Sequence, residues 1–240
     1  MHRDRRLHCE LDRACMNRLY IRAIRSTILG ACVLGVMIFV SAGTVHYWQG
    51  WVFFAEFVVA SSSVGLYFAI RDPIVLERRL SVGPTAEKEV SQKIITILLL
   101  PGFIALIVVP AFERRLGWAP LPGYVSILGD ILVLLGLFIA FLVVRQNSFA
   151  ASTIQVVEDQ KVISTGLYAF VRHPMYAGTL PMLVGIPLAL GSWLGLLGLV
   201  VIIPALMWRA VDEERFLRNN LPGYTAYTQR VKYRLIPSIW

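Results

Sequence analysis

The sequence predicts an all-α, polytopic integral membrane protein of about six transmembrane helices with a small cytoplasmic cap. Three observations lead there. Hydrophobic residues make up 57% of the chain and charged residues 16%, with a mean hydropathy of +0.65. A soluble domain carries roughly 25% charge. Several apolar runs reach membrane length, and the basic residues fall between them in an alternating pattern that reads as a topology signal.

Residues 1–25 come first, with Arg3, Arg5, Arg6, Arg13, Arg18, Arg22 and Arg25, and read as a cytoplasmic or interfacial arm. The run that follows lacks a small-residue cleavage site at its end, so it is expected to remain as a first span. Residues 26–45, 51–70, 94–112 and 124–144 each approach the roughly 20 apolar residues that cross a bilayer. Residues 176–208 are too long for one span. They break at Gly191-Ser192, and Pro181 and Pro187 bend the first arm. Two closely packed, somewhat short helices are expected there, giving six spans, or five if the hairpin is re-entrant. The chain then divides into 1–144, the arm with four helices, and 145–240, the hairpin with a cap made from 145–175 and 209–240.

Basic residues orient this arrangement. The 71–93 loop holds Arg71, Arg78, Arg79, Lys88 and Lys93, the 145–175 segment holds Arg145, Lys161 and Arg172, and the tail is basic too. Only Arg114 and Arg115 fall on the other side. Lys and Arg favour the cytoplasm, so both termini and the cap are expected there, with membrane lipids as neighbours. The net charge of +8 does not point to nucleic acid, because no aromatic-basic interleaving or recognised fold accompanies it. Cys9, Cys15 and Cys32 form no C-x-x-C pair, so neither a disulfide framework nor a metal site is expected. The absence of any G-x-G sequence argues against a dinucleotide fingerprint.

The chemistry concentrates in two clusters at the ends of the 176–208 stretch. In the first, Arg172-His173-Pro174-Met175-Tyr176, the residue before proline is pushed out of the helical region, and proline suits a helix's first turn. His173 should therefore be extended and Pro174 should open a helix. Arg172 then serves either as an anion contact beside that helix start or as a cytoplasmic anchor with tyrosines at the headgroup belt. In the second cluster, Arg209 and Glu213 can share a helical face, while Glu213 and Glu214 point in different directions. A solvated ion pair and a functional pair both fit. Glu56 and Asp130 lie in apolar runs and read as groups near a helix end or bonded to a neighbouring helix. His46, Tyr47, Trp48 and Trp51 read as interfacial aromatics, and Gly30, Gly35, Gly185, Gly195 and Gly198 as close-packing positions.

At these residues the chain resembles the isoprenylcysteine carboxyl methyltransferase family and its bacterial relatives. The resemblance covers roughly residues 147–240. It rests on Thr165-Gly166-x-Tyr168, Arg172-His173-Pro174-x-Tyr176, Glu213-Glu214-x-x-Leu217, Gly223-Tyr224-x-x-Tyr227 and Ile236-Pro237. It implies S-adenosylmethionine as methyl donor, contacted by Gln155, Gln160, Lys161, Val162, Ile163, Tyr168, His173, Pro174, Met175, Tyr176 and Glu213. It implies Arg209 as the substrate-binding residue; the candidate catalytic set is Arg209 with Glu213 and Glu214, either of which can accept a proton from an amine acceptor. The implied acceptor is a lipophilic small molecule or lipidated substrate, and the implied location is a bacterial inner membrane with the site facing the cytoplasm. Asn147-Ser148-Phe149-Ala150 departs from the Asn-Phe-Asn-His-type segment of the eukaryotic enzymes, which leaves the acceptor open. Two other readings share the R-H-P element: a phospholipid N-methyltransferase, and an NADPH-dependent sterol-type reductase.

Overall fold

Eight α-helices run through the residues that the computed structural model describes: 2–80, 90–118, 121–149 and 160–240, with side chains from Met16 onward. They are α1 (His2–Gly35), α2 (Trp48–Arg71), α3 (Pro73–Leu80), α4 (Val90–Leu116), α5 (Gly123–Gln146), α6 (Pro174–Ala189), α7 (Leu199–Asn220) and α8 (Tyr224–Arg230). A π-helical turn at Val36–Val40 extends α1, and a 3-10 turn at Leu194–Gly198 leads into α7. No strand occurs among the described residues, as the sequence predicts.

Five stretches are long and apolar enough to cross a membrane: Met16–Val40, Trp48–Arg71, Val90–Leu116, Gly123–Gln146 and Leu194–Asn220. The chain is an integral membrane protein. The arm and first span are one continuous helix from His2, so the expected boundary near residue 25 is absent. The sixth apolar helix, α6, has 16 residues, roughly 24 Å, against a hydrocarbon core of about 30 Å.

The ends of α6 nevertheless lie at opposite ends of the bundle. At the cap end, Leu19 of α1 packs with Phe68, Val75, Leu76 and Val144, with Met175 against them. Arg172 and His173 donate their backbone N–H groups to Tyr233 and Arg234 carbonyls at 2.9 Å, which brings the C-terminal tail to the same end. At the far end, the Tyr47 hydroxyl donates to the Leu190 carbonyl, and Leu121 N–H donates to Gly191 O at 3.3 Å. Ser192 donates to Glu113, and Gly191 supplies the positive φ of 76° that the turn needs. The hairpin therefore runs from one end of the bundle to the other, with α6 shorter than the five membrane-length stretches.

The two arms of that hairpin do not pack on each other as expected. Instead α6 lies along α5, and α7 lies along α4. Glycines explain the choice. A Cβ on Gly129 would strike the Ala189 backbone, and one on Gly136 would come within 2.6 Å of Met182 Cβ and 2.8 Å of Gly178 O. A Cβ on Gly185 would lie 2.6 Å from Gly129 O, so the two backbones run in close contact. On the other pair, a Cβ on Gly102 would meet Ile202 Cγ1 at 2.5 Å. Lipid tails give helices little hydrophobic reason to associate, so close backbone contact is the main attraction left. Gly185, Gly195 and Gly198 are packing positions as expected; Gly30 is not, having nothing within 4 Å of a Cβ.

Two further expectations change. Tyr47 is 2% exposed and pins the hairpin tip, whereas Trp48 and Trp51 are each 49% exposed on the outside of the bundle. Asp130 is buried, and its Oδ1, like Glu56 Oε1, has no hydrogen-bond partner among the described residues, so neither oxygen makes the expected bond to a neighbouring helix there.

Gly129→Val should lower thermal stability in detergent by about 1–3 kcal/mol, because the α5 and α6 backbones must part. Gly30→Ala should leave stability unchanged or raise it by up to about 1 kcal/mol. Thermal unfolding of the two variants beside the wild type measures both.

Candidate active site at the cap end

His173 adopts φ −122° and ψ 65°, and Pro174 occupies the first turn of α6, as the His-Pro dipeptide dictates. This geometry stops the chain from turning helical one residue early. It leaves the Arg172 and His173 amides pointing outward, where the C-terminal tail pairs with them like a short strand.

Glu214 is the hub. Its side chain is 3% exposed, and Oε1 lies 3.0 Å from Arg172 Nε, 3.3 Å from His173 Nε2 and 3.2 Å from Arg234 Nε. Arg218, one helical turn on, approaches Oε2 at 3.7 Å. The Arg172 contact is a charge pairing rather than an aligned hydrogen bond, since Nε has no partner by hydrogen-bond geometry. A buried carboxylate needs this much compensation to stay ionised. Arg234 also stacks over Trp240 at 5.0 Å, whose carbonyl accepts bonds from the Arg234 and Leu235 amides.

Glu213 faces a different set of groups. Its side chain is 24% exposed, its Oε2 accepts a 2.7 Å bond from the Tyr176 hydroxyl, and His173 Nδ1 is 3.7 Å away. The Tyr176 hydroxyl in turn accepts from Arg209 Nε at 3.1 Å, and Arg209 NH1 donates to Thr96 Oγ1 at 2.9 Å. One tyrosine hydroxyl thus sits between a guanidinium and a carboxylate, and the His173 and Tyr176 rings stack at 5.4 Å and 16°. Asp212 points the other way, accepting from Ser91 at 2.8 Å and from Gln92, both on α4.

Above this cluster, Leu221, Tyr224, Tyr227 and Val231 form a small core with Val162 and Leu217 packed on it. Tyr227 donates to the Tyr168 carbonyl at 2.8 Å. Burial pushes the Tyr224 and Tyr227 hydroxyls well above the ordinary tyrosine range. Burial also pushes Tyr168 up to about 12, so it stays neutral, taking a 3.0 Å bond from Asn147. Gln146 braces the 3-10 turn at Gly166–Ala169 by donating to Thr165 O and accepting from Leu167 N–H. Lys161, Val162 and Ile163 are non-helical, and their backbone groups make no hydrogen bond among the described residues.

The structure brings Tyr168, His173, Pro174, Met175, Tyr176, Arg209, Glu213 and Glu214 to one end of the bundle, with Lys161, Val162 and Ile163 in the same cap. Met175 turns away to pack in the α2–α3–α5 core. Gln160 is half-buried beside this run, and Gln155 lies outside the described residues. Sequence reasoning missed three contributors, Thr96, Gln92 and Arg234, and placed Asp212 in the second cluster without its α4 partners. The first two carry no pattern and sit at the start of an apolar span. Arg234 read only as part of a basic tail, although Ile236-Pro237 pointed to an ordered one.

Residues 124–222 match the family of phospholipid methyltransferases, which belongs to the same superfamily of membrane methyltransferases as the isoprenylcysteine enzymes. The match supports a membrane methyltransferase. It begins where α5 begins, so it takes in the α5–α6 glycine contact and the α7 site residues while stopping before α8. No curated protein matches the chain. A methyltransferase of this kind requires a methyl donor.

Glu214→Gln should cost about 3–5 kcal/mol, because it leaves Arg172 buried without its counter-charge. Arg234→Ala should free the C-terminal tail while the bundle persists. Limited proteolysis followed by mass spectrometry should show faster cleavage after Lys232 in both variants than in the wild type.

Proposed function

We propose that this methyltransferase uses S-adenosylmethionine to modify a lipophilic acceptor at the cytoplasmic face of the membrane, by carboxyl O-methylation of an isoprenylcysteine-like substrate. The observation that carries this reading is the Arg209–Tyr176–Glu213 arrangement, which holds a cation and a carboxylate on one tyrosine hydroxyl at the membrane edge.

The residues fit the donor. Glu213 offers a partly exposed carboxylate for an ammonium or ribose hydroxyl, and the His173–Tyr176 pair offers an aromatic face for a cation. Lys161, Val162 and Ile163 offer unpaired backbone groups for a purine edge, and Tyr168, Gln160 and Gln155 complete the proposed cradle. S-adenosylmethionine, when bound, supplies a methyl group already activated on sulfonium for in-line displacement.

The chain's own part is then positioning. Arg209, held by Thr96 and Tyr176, puts a permanent positive charge where a substrate carboxylate can be drawn in and oriented. A carboxylate nucleophile needs no base, so neither glutamate has to move a proton. Glu214 serves as a positioning residue, because Arg172, His173 and Arg234 take up its charge.

The family match favours a second reading within the same reaction class, with a phospholipid amine as acceptor. An amine must lose a proton, and Glu213 is the group beside the site that can accept it. The same match favours both over an NADPH-dependent reductase.

Incubation of membranes with methyl-tritiated S-adenosylmethionine should label an extractable product whose label is lost in mild base, as from a methyl ester. Base-stable label on a phospholipid headgroup would replace this acceptor with the amine, and binding of NADPH alone would overturn the donor. Glu213→Gln should weaken S-adenosylmethionine binding roughly 10- to 100-fold in calorimetry while the protein stays folded. Arg209→Lys should keep donor binding and lose most acceptor labelling, since a point charge replaces a planar fork.

A further inference from the structure

Outside the methyl-transfer site, the described residues hold a groove of about 590 Å³ along the exposed side of α1, lined by Arg22, Arg25, Ser26, Ile28, Leu29, Cys32 and Leu80. Its order along the helix is informative. Arg22 and Arg25 are three apart and share a face, and Leu29 and Cys32 continue the same stripe towards the membrane interior. The groove therefore passes from two cations to an apolar floor within the span Met16–Val40.

Neither arginine has a carboxylate partner among the described residues, and Ile28 and Leu29 below them are 58% and 66% exposed. Two adjacent guanidinium groups with no carboxylate partner among the described residues match a phosphate, which accepts paired N–H donors. A chain of methylenes matches the floor. An anionic phospholipid joins these two chemistries in that order along the bilayer normal, whereas a free phosphate lacks the tail and a zwitterionic lipid offsets the charge.

We infer that this α1 groove is a binding site for one anionic phospholipid, its phosphate between Arg22 and Arg25 and one acyl chain along Leu29 and Cys32. The site also bears on the cap. Leu80 ends α3, and Arg78 of the same helix donates to the Ser148 carbonyl at 2.8 Å and lies 5.5 Å over the Phe149 ring. A lipid in the groove would support the helix that holds the loop after α5.

The test is lipid retention by the full chain in nanodiscs of equal phosphatidylglycerol and phosphatidylcholine, released and read by native mass spectrometry. The wild type should retain one phosphatidylglycerol with enrichment on the order of tenfold over phosphatidylcholine. Arg22→Gln/Arg25→Gln should abolish the preference, and Cys32→Trp, which fills the floor and leaves both charges, should abolish retention. Arg114→Gln/Arg115→Gln, at the other end of the bundle, should change nothing. Equal retention of the two lipids by the wild type would overturn the proposal, as would undiminished retention by both groove variants. So would displacement of phosphatidylglycerol by millimolar inorganic phosphate, which marks an anion site without a tail. Oxidative Cys32–Cys32 cross-linking in phosphatidylcholine alone would instead assign the groove to a second copy.

Discussion

One carboxylate joins the parts of the cap that the membrane helices cannot join. Glu214 projects from the end of α7 and is reached by Arg172 and His173 from the start of α6 and by Arg234 from the tail. These three segments come from separate parts of the chain. Their common contact is charge, with Glu214, Arg172 and His173 buried and Arg234 at the edge. Because α6 and α7 pack on different neighbours, Glu214 adds a tie between them beside the direct Arg209–Tyr176–Glu213 bonds. Glu213, its neighbour in sequence, is left with a single firm bond to Tyr176 and an exposed edge. Adjacent glutamates thus divide the work: one is saturated by cations, and the other remains open to a ligand.

The bundle below supplies two rigid walls. Backbone contact between α5 and α6 through Gly129, Gly136, Gly178 and Gly185 forms one, and the α4–α7 pair forms the other. Arg209 spans them, bonded to Thr96 on α4 and Tyr176 on α6. A small residue far down the bundle and a guanidinium at the membrane edge are therefore parts of one geometric requirement.

Much of this was legible in the sequence, and the rest was hidden for physical reasons. Composition and run length disclosed the membrane class. The His-Pro dipeptide disclosed the helix start at Pro174, and Gly191-Ser192 disclosed the turn. The partners of α6 and α7 did not show, because glycine spacing suggests close packing without saying which helix is close. Tyr47 looked like a headgroup aromatic, since an interfacial tyrosine and a buried one that caps a carbonyl look alike in sequence. The distinct environments of Glu213 and Glu214 depended on Arg234, twenty residues later, and on Asp212 turning towards α4. Side-chain direction around a helix follows from spacing, but the identity of what lies opposite requires the fold.

The tip of the α6–α7 hairpin carries a consequence for how the protein is made. Its anchors are Tyr47 before α2, Glu113 at the end of α4, and Leu121 before α5. All three precede the hairpin in the chain, so during synthesis its docking platform exists before it leaves the ribosome. The last two arms can thus enter a prepared cleft rather than search for partners in open lipid. The Arg234–Glu214 contact forms only after the tail has followed, so the candidate site at the cap end is assembled after the hairpin that carries it.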